Sequence, residues 1–204
     1  MLKRALSVFV CLFALAACGD EEGVADAASA RAAYLGLDAA IEKALNLGFA
    51  GFNAATSANI PPQTTDGDVM GTMNVTGQAD QGASDNKGMR LFVELLEYQD
   101  VATIVDAEDS EIEFSVVYDT DPAALPYLEA KFANYPNGTF TGSFTGTVNM
   151  TGDLEGVVTL DLTFSGETEE DPLDPTRVVR VEGTTTVTGT ATSKYGTFAI
   201  DLVI

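Results

Sequence analysis

The sequence predicts a mainly β protein (α+β) in which a curved antiparallel meander sheet of about eight strands forms a half-barrel or open barrel, with an N-terminal helix packed on its concave face. Three observations predict this fold: long stretches alternate apolar with hydroxyl-bearing residues, one early segment has apolar residues at helical spacing, and glycines recur on the apolar side of the strands. The chain has 204 residues, of which 46% are hydrophobic, so one domain with a real core is expected over residues 31–204.

The first 17 residues have the organisation of a signal peptide. Two cations precede an apolar run over residues 5–15, which is too short to span a bilayer. The run ends in Leu15-Ala16-Ala17-Cys18, which resembles the lipobox of bacterial lipoproteins. The resemblance covers about the first 20 residues, and an ordinary secretory signal followed by a chance cysteine is the alternative.

The resemblance implies where the protein resides. In bacterial lipoproteins the cysteine of the lipobox becomes the first mature residue and carries a diacylglycerol, so the implied membrane partner is reached through a lipid anchor at Cys18. Gly19, rather than an aspartate, follows the cysteine and favours the outer membrane, facing the periplasm or the cell surface. Residues 18–30 are small and acidic, and we expect a short flexible tether there.

Composition excludes several classes of chemistry. The chain has no His, so Ser-His-Asp and Cys-His catalysis and His-ligated metal sites are not available. The lipoprotein resemblance implies that Cys11 leaves with the signal and that Cys18 would be acylated, which would leave no thiol for a disulfide or a nucleophile. Loss of Lys3 and Arg4 from 10 basic residues leaves 8 against 31 acidic ones, a net charge of −23 that repels nucleic acid. We expect no cofactor, no metal and no catalytic residue.

The helix is predicted between Asp26, which can cap its start, and Gly48, which can lie just past its end. Its core stripe has spacings of three and four residues and consists of Tyr34, Leu37, Ile41, Leu45 and Phe49. Residues 53–68 collect Asn, Ser, Thr, Pro and Gly and are predicted to form a loop.

The β region follows from period-two alternation. In residues 139–152, Phe140, Phe144 and Val148 lie on one face and threonines on the other, which is typical of a strand with one wet face in an antiparallel sheet. The same reasoning predicts a short helix at 122–133 and strands near residues 69–78, 88–98, 101–106, 111–119, 139–152, 156–165, 176–192 and 195–204.

Three segments fit an internal repeat, G-T-x-x-φ-T-G with φ apolar, at residues 71–77, 146–152 and 183–189. They suggest duplicated hairpins of a meander, with an unrecognisable copy near residue 108; strand composition alone is the alternative. We expect the glycines on the apolar face to let the sheet coil and the helix approach closely. These glycines are Gly71, Gly77, Gly142, Gly146, Gly152, Gly183 and Gly189.

Two functions from different classes fit these features. The first is a non-catalytic lipid-anchored envelope lipoprotein that serves as a structural or interaction module with an envelope protein partner. The second is a carrier or sensor of an apolar ligand held between helix and sheet, similar in architecture only to the half-barrel lipoprotein carriers of the periplasm. Its ligand-binding residues would be Leu37, Ile41, Leu45, Phe144, Leu160 and Ile200.

Acidic loops are the remaining candidates for a site. Carboxylates cluster at Asp66 and Asp68, at Asp119 and Asp121, and over residues 167–174. Oxygen ligands of this kind suit Ca²⁺, but none of the clusters has the EF-hand pattern. With 31 acidic residues in the chain, solvated turns are the expected role of these loops.

Overall fold

The computed structural model describes residues 23–54, 57–80, 84–105, 110–174 and 178–204. The predicted signal peptide, the lipidation site at Cys18 and the repeat position near residue 108 lie outside these residues. Among the described residues, one helix precedes twelve strands. The elements are α1 Ala27–Ala54, β1 Asn59–Asp66, β2 Met70–Ala79, β3 Lys87–Gln99, β4 Thr103–Val105, β5 Glu111–Glu113, β6 Val116–Asp119, β7 Tyr127–Ala133, β8 Gly138–Gly152, β9 Gly156–Glu170, β10 Val178–Arg180, β11 Thr186–Ser193 and β12 Gly196–Val203.

Helix α1 begins after Asp26, as predicted. The Asp26 carboxylate accepts the Ser29 N–H at 2.7 Å, and the Ser29 hydroxyl accepts the Asp26 N–H at 3.0 Å, so each residue caps the other's backbone. The helix runs through Gly48 to residue 54 instead of ending at Gly48, and Gly48 lies against Leu91 and Met89 of the sheet. Val24 is also buried, so the folded unit starts before the predicted boundary at residue 31.

The strands form one antiparallel sheet of ten strands in the order β1-β2-β3-β6-β8-β9-β11-β12. Both β6 and β7 lie between β3 and β8, one after the other along these strands. β7 pairs with Lys87–Phe92 of β3, and β6 pairs with the other end of β3 through Tyr118 and Tyr98. β10 extends the sheet beside the end of β9, and β4 and β5 form a separate ribbon. The predicted antiparallel meander is confirmed.

The sheet wraps around the helix. β1 and β12 lie at opposite ends of the strand order, yet both contact α1, which requires a strongly curved sheet. From Ser29 to Phe49 every residue of the helix is buried or half-buried. A helix enclosed on nearly all sides is a core element rather than a surface one. In the described strands β1 and β12 do not pair, so the sheet stays open, and the predicted half-barrel around the helix is confirmed.

The predicted core stripe of the helix is confirmed. Its members are among the residues of the buried core, which are at most 8% exposed: Tyr34, Leu37, Ile41, Leu45 and Phe49. They belong to one continuous hydrophobic cluster together with inward residues of β2, β3, β8 and β9. The alternating strands predicted for residues 139–152 and 156–165 alternate in burial as expected.

The short helix predicted at 122–133 is wrong. Residues Tyr127–Ala133 form strand β7, in which Leu128, Ala130 and Phe132 are buried and Lys131 is exposed. Leucine, alanine, glutamate and lysine favour helices in isolation, but pairing with β3 and β8 on both edges outweighs that weak preference.

Three other boundaries differ from the prediction. The predicted loop 53–68 contains the end of α1 and strand β1, which tolerates Pro61 and Pro62 because it is an edge strand with an irregular register between Ile60 and Gln63. The predicted strand 176–192 is two strands, β10 and β11, separated by a turn at Gly183, whose φ is +73°. The predicted strand 111–119 is likewise divided between β5 and β6.

Five of the seven glycines are half-buried, and two are exposed. Gly142 and Gly146 are partly buried on the inner face: the Phe164 ring lies over Gly142, and Pro126 covers Gly146, so neither position has room for a side chain. Gly152 and Gly183 are exposed, which corrects the expectation that all seven face inward. The duplicated hairpin itself stays a prediction.

Candidate functional site

The six residues predicted to bind an apolar ligand are all buried in the core. Leu37, Ile41 and Phe144 surround one void between helix and sheet, whose volume is about 10 Å³. Leu45 borders a second void of about 10 Å³ nearer the end of the helix, and Leu160 and Ile200 are packed elsewhere in the same cluster. A void of this size has room for about one water molecule, whereas ligand pockets have roughly 300 Å³ or more. These voids therefore offer no room for an apolar ligand.

Asp100 is the centre of one buried polar network. Its side chain is fully buried, and it accepts hydrogen bonds from the Lys43 ammonium at 2.5 Å, the Tyr98 hydroxyl at 2.6 Å and the Asp68 backbone N–H at 3.0 Å. The exposed Asp68 carboxylate binds the same ammonium at 2.8 Å. Burial lowers the pKa of Lys43, but hydrogen bonds and charge from Asp100 and Asp68 raise it by more, so the net pKa is above its ordinary value.

Arg180 is the centre of a second network. Its guanidinium binds Asp38 through two nitrogens, at 2.9 and 2.6 Å, and Glu42 through Nε at 3.1 Å. Tyr34 donates its hydroxyl proton to Asp38 at 2.6 Å. Burial lowers the pKa of Arg180, and the Asp38 and Glu42 carboxylates raise it by more. Asp38 and Glu42 are like charges one helical turn apart, and the cation removes their repulsion.

Both networks join the partly exposed side of α1 to the sheet. Lys43 reaches the end of β3, and Asp38 and Glu42 reach β10. Every carboxylate in the two networks is bound to a cation, so none is arranged as a free acid or base for catalysis. We interpret the networks as the contacts that hold the helix in the open side of the sheet.

Sequence reasoning missed these residues. Lys43 and Asp100 are 57 positions apart, and Asp38 and Arg180 are 142 apart, so no local pattern links them. One signal could have pointed to the second network. Asp38 and Glu42 are acidic residues four positions apart on a helix whose other faces are apolar, and two neighbouring carboxylates of this kind require a cation.

Three buried tyrosines line the contact between helix and sheet. Tyr34, Tyr98 and Tyr118 are at most 1% exposed, and the Tyr118 hydroxyl donates to the backbone carbonyl of Ala33 on α1 at 2.9 Å. Burial raises the pKa of all three hydroxyls above their ordinary value of 10. The carboxylates Asp38 and Asp100 raise the pKa of Tyr34 and Tyr98 further.

The solvent face of the sheet carries a polar groove, which we call the outer groove. It consists of two depressions of about 440 and 410 Å³ that share Glu129, Lys131 and Thr141. Hydroxyls of β8, β9 and β11 line one depression, and Lys87 and Arg90 line the other. Cross-strand pairs of threonines bind each other on this face, as between Thr163 and Thr188 at 3.0 Å and Thr147 and Thr159 at 2.8 Å. Two of the cations are bound to carboxylates of the same groove, Arg90 to Asp80 at 2.9 Å and Lys131 to Glu129 at 3.2 Å, so hydroxyls and ion pairs line the outer groove.

The acidic loops have structural partners. Asp119 accepts the Glu97 N–H at 2.8 Å, and Asp121 and Asp171 each accept a backbone N–H of their own turn at 2.8 Å. No group of three or more potential metal ligands occurs among the described residues. The described part of the chain contains one helix, α1, and this helix is not apolar enough to span a membrane.

Comparisons with protein-family models, with curated proteins and with solved structures found no match to this chain.

Proposed function

We propose that this chain is a lipid-anchored lipoprotein of the bacterial cell envelope that acts as a non-catalytic interaction module, placed at the outer membrane. The observation that carries the proposal is the ordered series of cations, apolar run and Leu15-Ala16-Ala17-Cys18 at the N-terminus. Two or more acyl chains on Cys18 provide a firm hold, since each buried CH₂ contributes about 0.8 kcal/mol.

The folded unit supports a binding role over a carrier role. The voids between helix and sheet have about 10 Å³ each, so an apolar ligand has no site there. The charged residues of the two networks are bound to one another and do not face an open cleft. The outer groove, in contrast, is open to solvent and lined by hydroxyls and by ion pairs, Arg90 with Asp80 at 2.9 Å and Lys131 with Glu129 at 3.2 Å. An envelope protein partner with hydroxyl-rich chemistry would fit this surface.

The lipid anchor is tested by metabolic labelling of the full chain with alkyne-tagged palmitate in a bacterial host that has the lipoprotein pathway. We expect the wild-type chain to incorporate the label and to begin at Cys18 after processing. The variant Cys18→Ala should lose the label completely, because it removes the acylated sulfur. Cys11→Ala is the matched control and should be labelled like the wild type, since Cys11 lies within the segment that is removed. An unlabelled wild type, or a label that persists in Cys18→Ala, would contradict the proposal.

A further inference from the structure

The described chain begins at one end of the sheet, between two strand connections. The backbone of Gly23 runs against the Tyr195 ring and the Glu155 carbonyl, so close that a Cβ on Gly23 would lie 2.8 Å from the ring and 2.9 Å from the oxygen. The Ser193 hydroxyl donates to the Val24 carbonyl at 2.5 Å. The connections β8–β9 and β11–β12, together with residues 23 and 24, make up what we call the anchor end of the domain.

The anchor end is close to Cys18 along the chain. Five Cα-to-Cα steps separate Cys18 from Gly23, and a chain extends at most about 3.6 Å per step, so these two residues lie within roughly 18 Å of each other. If acyl chains fix Cys18 at the membrane, the anchor end is the part of the domain that this short connection holds nearest to the lipid headgroups. This step depends on the proposed lipid anchor.

The exposed side chains of the anchor end are those that a membrane interface favours. Val157 is 57% exposed, although the next outward positions of β9 are Thr159 and Asp161. Tyr195 is 40% exposed, and the Lys194 ammonium lies 4.7 Å from the centre of its ring. Tyrosine and lysine are enriched at the level of lipid headgroups, where each presents an apolar body and a polar tip.

The net charge of the protein indicates which kind of membrane surface it can contact. Asp153 and Glu155 lie in the β8–β9 connection, and the chain after the signal peptide has a net charge of −23, from 8 basic and 31 acidic residues. Anionic headgroups would repel such a domain, whereas zwitterionic ones would not. Contacts from three side chains are weak alone, but a tethered domain meets the surface at a high effective concentration.

We propose that the anchor end is a membrane-docking surface, in which Val157, Tyr195 and Lys194 contact the zwitterionic headgroup region of the bilayer that holds the lipid anchor. The opposite end of the sheet, which contains Leu173 beyond the end of β9, then points away from the membrane. Strand β9 has 15 residues and therefore 15 − 1 = 14 steps of about 3.3 Å, which separate the two ends by roughly 45 Å.

The test uses the absence of tryptophan from the chain, because a single introduced Trp reports its own surroundings. Tyr195→Trp places the probe at the anchor end, and Leu173→Trp places it at a position that is 94% exposed at the other end. Each lipidated full-length variant is reconstituted on phosphatidylcholine vesicles, with and without phosphatidylcholine brominated on its acyl chains. We expect a blue shift and quenching of the emission for Tyr195→Trp and neither effect for Leu173→Trp.

The outcomes separate the two proposals. Emission from Tyr195→Trp that is as solvent-exposed and unquenched as that from Leu173→Trp, on protein that floats with the vesicles, overturns the docking surface and leaves the lipid anchor intact. Protein that does not float, and behaves like its Cys18→Ala form, overturns the anchor and the docking with it. Adding phosphatidylglycerol to the vesicles should weaken the quenching of Tyr195→Trp, and stronger quenching would contradict the choice of a zwitterionic surface.

Discussion

Replacing Asp100 with alanine should lower the free energy of unfolding by about 3 to 5 kcal/mol. The carboxylate has no solvent exposure and accepts three hydrogen bonds, one of them from the Lys43 ammonium. Its removal leaves the buried Tyr98 hydroxyl without its acceptor and removes the buried counter-ion of Lys43. Urea unfolding of the Cys18→Ala protein, followed by circular dichroism, measures the loss.

Asp68→Ala is the matched control for this effect. Asp68 binds the same ammonium at 2.8 Å, but its side chain is 73% exposed, and exposed ion pairs contribute at most about 1 kcal/mol. Its backbone N–H, which donates to Asp100, is retained in the variant. If the two variants lost equal amounts of unfolding free energy, burial of the Asp100 carboxylate would not determine how strongly the network stabilises the fold.

Replacing Gly36 with alanine should cost about 2 to 4 kcal/mol, although alanine is the better helix former by about 1 kcal/mol. A Cβ on Gly36 would overlap the Tyr118 hydroxyl and lie 2.7 Å from Cε1 of Phe114. Both rings are buried, and the Tyr118 hydroxyl is bound to the Ala33 carbonyl, so neither ring can move without loss of packing. Gly36 is thus a point where α1 must approach the sheet without a side chain.

Gly48→Ala makes the same substitution in the same helix against different neighbours. A Cβ at Gly48 would lie 2.9 Å from Cδ1 of Leu91 and 2.9 Å from Sδ of Met89, which are the ends of flexible side chains. We expect the stability to change by less than about 1 kcal/mol, because the gain in helix propensity offsets the adjustment of these ends. Thermal and urea unfolding of both variants compare them directly, and a Gly36→Ala protein as stable as Gly48→Ala would refute the close approach.

The parts of the fold that follow a local period were predictable from the sequence. The alternation of β8 and β9 and the stripe of α1 each arise within one element, so neighbouring residues carry the whole signal. β7 was not predicted, because leucine, alanine, glutamate and lysine obscure the alternation of Leu128, Ala130 and Phe132. β1 was hidden by Pro61 and Pro62, which only an edge strand tolerates.

The polar networks were not predictable in the same way. Arg180 meets Asp38 only because β10 pairs with the last residues of β9, beyond the part of β9 that pairs with β11. Asp100 meets Lys43 only because the sheet curves around the helix. These contacts depend on the tertiary arrangement and leave no periodic trace in the sequence. Likewise, the lack of room at the predicted ligand site follows from side-chain packing that hydrophobic patterning cannot reveal.

The curved sheet encloses α1 and excludes water from the contact between them, and the ionisation of tyrosine tests this enclosure most directly. In the unfolded chain Tyr34, Tyr98 and Tyr118 lose their protons near pH 10, whereas burial keeps them protonated to higher pH in the native state. Above about pH 10 the native state therefore binds more protons than the unfolded chain. Below about pH 10 the contribution of each buried tyrosine to the free energy of unfolding is fully present, and above it that free energy falls by about 1.4 kcal/mol per pH unit for each of them.

Absorbance at 295 nm counts tyrosinate directly. At about pH 10.5 an ordinary tyrosine of the unfolded chain is about three-quarters ionised, so the three buried tyrosines should make the native protein lag by about two tyrosinates out of six tyrosines until the fold is lost, with a smaller lag in Tyr34→Phe and Tyr118→Phe. A native protein whose six tyrosines all ionise along the curve of the unfolded chain, with its circular dichroism unchanged, would contradict the enclosure of the helix.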